Sequence, residues 1–137
     1  MLIDTNIFIE MGKKQEESFQ CGELLDAIKQ DLINEEVYIT KFTLNAIQAI
    51  ISREDPKLVR DILILIHQEK IKALELNLED YLMILSALED LKLDFDDATQ
   101  FVAANKLRTS IVTFDKDFKN TGLKVKTPKQ VLKEILS

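Results

Sequence analysis

The chain has 137 residues, 46% hydrophobic and 31% charged, with a formal net charge of −6; this is enough apolar material for one domain with a core and enough charge for a wet surface. The acidic balance argues against a broad, non-specific nucleic-acid binder, which carries a basic face. No apolar run is long enough to span a membrane, Asp4 and Asn6 interrupt the apolar start a signal peptide needs, and the lone Cys21 excludes an internal disulfide, so a cytoplasmic domain is expected.

Met1-Leu2-Ile3 reads as a short strand that delivers Asp4 at its C-terminal end, followed by the helix-capping types Thr5 and Asn6. Residues 7–11 open a helix or turn closed near Gly12, and residues 13–17 form a charged connector. Phe19, Leu24, Leu25, Ile28, Leu32 and Ile33 follow helical spacing and predict an amphipathic helix over 18–33, with Cys21 packed in it rather than acting as a nucleophile. Residues 37–39 form a second strand ending in Thr40 and Lys41, and helical period returns over 42–52. Pro56 fits the start of a helix that runs to about Lys70. It is apolar on most of its circumference, so it is either deeply buried or covered by a partner. His67, near its end, reads as a C-terminal cap or an exposed side chain.

Residues 71–76 suit a third strand, and 78–91 a helix with Tyr81, Leu82, Ile84, Leu85 and Leu88 inward. Asp96 or Asp97 can cap the next helix, which passes through Ala98, Phe101, Val102 and Ala104 to about Arg108; residues 110–114 return as a buried strand. A helix of about 12 residues climbs roughly 18 Å, and a strand of about 5 residues comes back roughly 16 Å. The acids that start the helix and Asp115 after the strand therefore share one edge. Residues 123–126 alternate like an edge strand, and Pro128 starts a last helix carrying Val131, Leu132, Ile135 and Leu136. Short strands alternating with helices predict a single α/β domain over 1–137, a three-layer α/β/α sandwich around a mainly parallel sheet of four to five short strands.

In such a sheet, functional residues gather outside the carboxyl ends of the strands. Asp4, Asp97 and Asp115 come from distant parts of the chain to that edge. Clustered carboxylates repel one another unless a cation sits among them, and oxygen donors with no His or Cys nearby suit Mg²⁺ or Mn²⁺. Such an ion polarises a phosphodiester and activates water. Asp94 and Asp96 suit plain capping roles, and Asp117 a turn acid or a partner of Lys116 or Lys119. Lys106, Arg108, Lys116, Lys119, Lys124, Lys126, Lys129 and Lys133 give the C-terminal third a local basic rim, or simply a solvated surface.

Leu2-Ile3-Asp4-Thr5-Asn6, Phe95-Asp96-Asp97-Ala98 and Val112-Thr113-Phe114-Asp115-Lys116-Asp117-Phe118, with Ile39-Thr40-Lys41-Phe42-Thr43-Leu44 between them, resemble the PIN-domain family of metal-dependent ribonucleases, which includes the VapC-type toxins of toxin–antitoxin pairs. The resemblance covers essentially the whole chain. It implies an endoribonuclease in which Asp4, Asp97 and Asp115 are the catalytic residues and hold Mg²⁺ or Mn²⁺. Thr5, Asn6, Thr113, Asp117 and Asn45 would support them, and Lys41, Lys116 and Lys119 would meet the RNA. An RNA substrate, an antitoxin and a homodimer are the partners it implies, with the helices over 58–66 and 81–88 as surfaces for self-association.

One departure stands out. The family carries Thr-Leu-x-Glu where this chain has Thr43-Leu44-Asn45-Ala46. Alanine binds no metal, so Asn45 or Glu10 substitutes, or the second metal is weak, or the enzyme is impaired. The alternative function is then a PIN scaffold that binds RNA or a protein partner without turnover. A phosphoacceptor receiver domain needs an acceptor Asp after a mid-chain strand, and neither Tyr38-Ile39-Thr40 nor Leu74-Glu75-Leu76 supplies one.

Overall fold

The first strand shows how the layers are assembled. β1 (Leu2–Ile3) sends Leu2 to one face of the sheet, against Ala103 and Ala104, and Ile3 to the other, against Ile7, Phe8, Ile47 and Val112. Alternation of side chains along a strand makes both residues core residues when helices cover both faces. The computed structural model describes residues 1–136.

After β1 come helices α1 (Thr5–Gly12) and α2 (Ser18–Lys29), strand β2 (Tyr38–Thr40), and helices α3 (Lys41–Ile51) and α4 (Pro56–His67). Strand β3 (Lys72–Leu74) leads to α5 (Leu78–Asp90) and α6 (Phe95–Leu107). Then follow β4 (Ile111–Val112), a 3₁₀ turn over Lys116–Phe118, β5 (Val125–Lys126) and α7 (Pro128–Leu136). The sheet has the order β3-β2-β1-β4-β5 and every pairing is parallel, with Leu2 registered on Tyr38 and Ile111, Ile39 on Ala73, and Ile111 on Val125. The larger core cluster fills the face covered by α1 to α4 and α7, while α6 covers the other and packs on α5 through Ile84, Ala87, Ala98 and Val102. The expected three-layer α/β/α architecture is present, and its sheet is wholly rather than mainly parallel. No described helix is long and apolar enough to cross a membrane.

Several local expectations are corrected. The strands over 71–76, 110–114 and 123–126 shrink to β3, β4 and β5, two or three residues each. α2 stops at Lys29, because Asp31 takes a left-handed φ of 58°, so Leu32 and Ile33 lie beyond it. Phe19 is 77% exposed, since Cys21, Leu24, Leu25 and Ile28 make the buried stripe without it. α4 ends at His67, which is exposed; its buried stripe is Leu58, Val59, Ile62 and Leu65, leaving Leu63 and Ile64 outside. In α5 the inward positions are Asp80, Ile84 and Ala87, while Tyr81, Leu82 and Leu85 face solvent. Gly12 is helical; the left-handed residue that follows α1 is Lys14. A Cβ on Gly12 would come within 2.5 Å of Ile51 Cγ2, so the glycine permits close approach of α1 to α3 rather than a turn.

Candidate metal centre at the switch point of the sheet

Chain direction across the sheet reverses beside β1: β2 and β3 extend to one side, β4 and β5 to the other. The crevice outside the carboxyl ends of β1 and β4 is where open parallel sheets bind ligands. Asp4 follows β1, Thr113 and Asp115 follow β4, and the first turn of α6 brings Asp97 beside them.

Each element has a local reason to end there. Asp4 is the N-cap of α1, and its Oδ1 accepts the Thr5 N–H at 2.7 Å. Its Oδ2 accepts the Thr113 hydroxyl at 2.7 Å. Thr113 Oγ1 in turn accepts from Asn6 Nδ2 at 3.1 Å and from the Asp115 N–H at 2.9 Å. One donated and two accepted bonds exhaust this hydroxyl, which fixes Asn6 with its amide nitrogen inward and leaves Asn6 Oδ1 buried without a partner. Asp94, not Asp96 or Asp97, caps α6: its Oδ1 accepts the Asp97 N–H at 2.8 Å. Asp96 and Asp97 then lie in the first turn, where the helix dipole favours negative charge.

Beneath this edge lies a polar network. Thr5 and Thr43 hydroxyls meet at 2.8 Å, Thr40 Oγ1 donates to Thr43 Oγ1 at 3.1 Å, and Gln100 Nε2 donates to Thr43 Oγ1 at 2.8 Å. It ties the β1–α1 turn to α3 and α6. Gln100 is the residue sequence reasoning missed. By type it reads as a surface residue, and the sequence carries no signal of its burial.

The tightest acidic group is Asp97, Asp115 and Asp117, with one carboxylate oxygen from each lying within 4.8 Å of the others. Asp117 enters because Asp115 Oδ1 accepts its N–H at 2.9 Å in the 3₁₀ turn; of its two expected roles it takes that of a turn acid, with no ion pair to Lys116 or Lys119 among the described residues. Asp4 stands outside this group but close enough to Asp97 and Asp115 for their charges to act on one another. Burial, then the charges of Asp115 and Asp94, pushes the Asp97 carboxyl up to about 8, with Asp115 also close enough to share a proton. Burial likewise pushes Asp4 up to about 6, opposed by the Thr113 and Thr5 bonds. Among the described residues, no lysine or arginine is ion-paired with Asp4, Asp97, Asp115 or Asp117. Unpaired, mutually repelling carboxylates with only oxygen donors beside them fit a hard divalent cation.

The remaining candidates lie elsewhere. Asn45 is exposed and lines a neighbouring groove, while Glu10 Oε2 accepts the Glu17 N–H at 3.1 Å and Glu10 is not a member of the acidic group among the described residues. Lys41 pairs with Glu75 at 3.1 Å, while Lys116 and Lys119 are exposed beside the 3₁₀ turn and have no ion pair among the described residues. Of the basic rim, Lys106 pairs with Asp80 at 2.6 Å and Lys126 with Glu134 at 2.9 Å. Cys21 is buried, which pushes its thiol up to about 12 and leaves it inert.

Solved structures share this architecture. A toxin–antitoxin complex from Klebsiella pneumoniae superposes with a TM-score of 0.66 at 19% identity, covering 93% of this chain and 96% of that one. The Mycobacterium tuberculosis toxin VapC20, described as cleaving the sarcin–ricin loop, gives 0.70 at 16% identity, covering 89% and 95%. VapBC2 from Rickettsia felis, bound to a DNA fragment from its promoter, gives 0.65 at 17% identity, covering 92% and 96%. At these identities the likeness shows a shared fold. No curated protein sequence matches the chain. The PIN-domain family model matches residues 1–124, and the chain therefore belongs to the PIN-domain family.

Proposed function

We propose that this protein is a metal-dependent endoribonuclease that hydrolyses phosphodiester bonds of RNA, acting as the toxin of a toxin–antitoxin pair. The observation that carries the proposal is the acidic group at the β1/β4 crevice, which no basic side chain among the described residues neutralises. The toxin–antitoxin complex and the VapC20 toxin with the same fold support the toxin reading.

Asp97, Asp115 and Asp117 would hold Mg²⁺ or Mn²⁺, with Asp4 as the fourth acid of the site. When bound, the cation would polarise the phosphodiester and make water a better nucleophile. The residues around it hold the acids in place. Thr113 fixes Asp4 Oδ2 and the Asp115 backbone together, and Asn6 fixes Thr113. Each Asp4 oxygen accepts only one bond and keeps a lone pair for the ligand or its water. Lys116 and Lys119, on the turn that carries Asp115 and Asp117, would attract the phosphate backbone. Cleavage of single-stranded RNA by the purified protein with Mn²⁺, compared with Asp4→Asn, tests the proposal. Loss of cleavage in the variant is expected; equal cleavage, or none in either protein, contradicts it.

Ala46 favours a second reading, a scaffold without turnover, since alanine supplies no carboxylate there and Glu10 is not in the acidic group among the described residues. Self-association through the solvent-facing Leu82, Met83 and Leu85 of α5 belongs to either reading. A dimer in sedimentation at tens of micromolar is expected, and a monomer contradicts this part.

A further inference from the structure

We infer that the groove between α3, α5 and α6 is a stacking subsite for one unpaired nucleobase of the RNA substrate. The inference rests on the nuclease reading and adds a choice of substrate to it: the strand must be single-stranded beside the scissile phosphate.

The groove holds about 270 Å³ outside the carboxyl ends of β2 and β3, where Thr40 and Leu74 form part of its wall. It opens on the same sheet edge as the acids, and one helix turn serves both sites. Phe95, the first residue of α6, lines the groove, while Asp97, two residues later, belongs to the acidic group. Side chains two positions apart on a helix diverge by roughly 200°, so a strand with a phosphate at Asp97 reaches Phe95 by crossing the first turn of α6.

The lining suits a base. Phe42 and Phe95 meet edge to face, with centroids 6.1 Å apart at 70°, so Phe42 steadies the orientation of Phe95 while the Phe95 ring stays 47% exposed. Tyr81 is 49% exposed and lines the same groove. Phe42 is the one aromatic partner of Phe95 among the described residues, and about half of Phe95 stays in water. As a platform for a base it is well placed, because bases stack on aromatic rings whatever their sequence. The rim is polar. Among the described residues Lys41 is held only by the exposed Glu75, a pairing weak enough to exchange for a phosphate. Asn45 presents an exposed amide that makes no side-chain hydrogen bond among the described residues, offering both a donor and an acceptor to the edge of a base.

A second copy of the chain fits the groove less well. The strongly exposed apolar residues of α5 that would build an interface, Leu78, Leu82 and Leu85, lie outside it. Asn45, on the groove wall, then meets the edge of the base rather than replacing the absent acid.

The test is equilibrium fluorescence of a single-stranded RNA oligomer carrying one 2-aminopurine, titrated with the full chain in EDTA so that no cleavage intervenes. Wild-type protein is expected to quench the probe on binding, Phe95→Ala to weaken binding about tenfold and lose the quench, and Phe95→Tyr to stay within about twofold of wild type. The same sequence as a duplex is expected to show no quench. Tyr81→Leu gives an independent variant, at a side chain exposed enough to leave folding intact. Absence of wild-type binding, or affinities of Phe95→Ala and Tyr81→Leu both within about twofold of wild type, overturns the inference. So does unchanged RNA affinity with conversion of a dimer to a monomer, which would assign the rings to a second copy. Mn²⁺-dependent cleavage separates the two levels: cleavage with no effect of the aromatic variants removes only the subsite. A quench without any cleavage removes the nuclease and leaves a base-binding groove.

Discussion

Asp80 and Asp97 occupy the same place in two helices and meet opposite fates. Each is the third residue of its helix, and each gives its backbone N–H to the capping side chain, Asn77 at 2.9 Å and Asp94 at 2.8 Å. Their exposures are 6% and 7%. Asp80 turns its carboxylate back to the Asn77 N–H at 2.8 Å and takes Lys106 Nζ at 2.6 Å; the Lys106 bond above all holds its pKa below the usual carboxylate value. Asp97 faces Asp115 instead, and burial with neighbouring charge holds it far above that value. The capping pattern is common to both. What separates them is the partner brought from elsewhere in the chain: a lysine neutralises Asp80, whereas Asp97 meets further acids and no basic partner among the described residues.

The sharpest way to break this comparison is to neutralise each acid in turn. Asp97→Asn is expected to lower Mn²⁺-dependent RNA cleavage at least about 100-fold, as loss of one electrostatic element of a catalytic site does, while Asp80→Asn leaves the rate of the folded protein unchanged. In urea unfolding without metal the order reverses. Asp80→Ala should destabilise the fold by about 2 kcal/mol, less than for a wholly buried pair because Lys106 is partly exposed. Asp97→Asn should stabilise it by about 1 kcal/mol, since the amide needs neither the buried charge nor the proton that Asp97 must take up on folding.

The two shifts also predict opposite pH dependences. Between about pH 4 and 8 the native state keeps a proton on Asp97 that the unfolded chain has released, so metal-free stability falls as pH rises through that window. Asp80 has a lowered native pKa; its contribution is present above the unfolded value and is lost as pH falls through the native one. Melting in EDTA from pH 6.5 to pH 8.5, above the range in which the raised Asp4 carboxyl contributes, should therefore show a decline of a few degrees that Asp97→Asn flattens and Mn²⁺ abolishes. A decline that persists in Asp97→Asn would assign it to other groups. The smallest effect belongs to Asp117, the exposed member of the group. Asp117→Asn is expected to weaken Mn²⁺ binding about tenfold without moving the urea midpoint.

Much of this arrangement is legible in the sequence because its signals are local. Apolar runs broken by Asp4 and Asp115 mark strand ends, and the run of acids from Asp94 to Asp97 marks a helix start. Helix and strand lengths then bring them to one edge. The missing parts depend on distant partners. The 3₁₀ turn that folds Asp117 onto Asp97 looks like any polar turn until Asp115 is seen to hold its N–H. α5 carries leucines on most of its surface, so periodicity cannot choose its buried side; the Asp80–Lys106 pair and the packing of Ile84 and Ala87 on α6 choose it. Gln100 reads as a surface residue by type, yet it is buried because two threonine hydroxyls need its amide.

Calorimetric titration of Mn²⁺ into wild type, Asp80→Asn and Asp97→Asn at pH 7.5 bears most directly on the cation the acids at the β1/β4 crevice are held to await. Saturable binding by wild type and Asp80→Asn, lost in Asp97→Asn, is the expected result. Equal heats in all three proteins, or no binding by wild type at millimolar Mn²⁺, would contradict it.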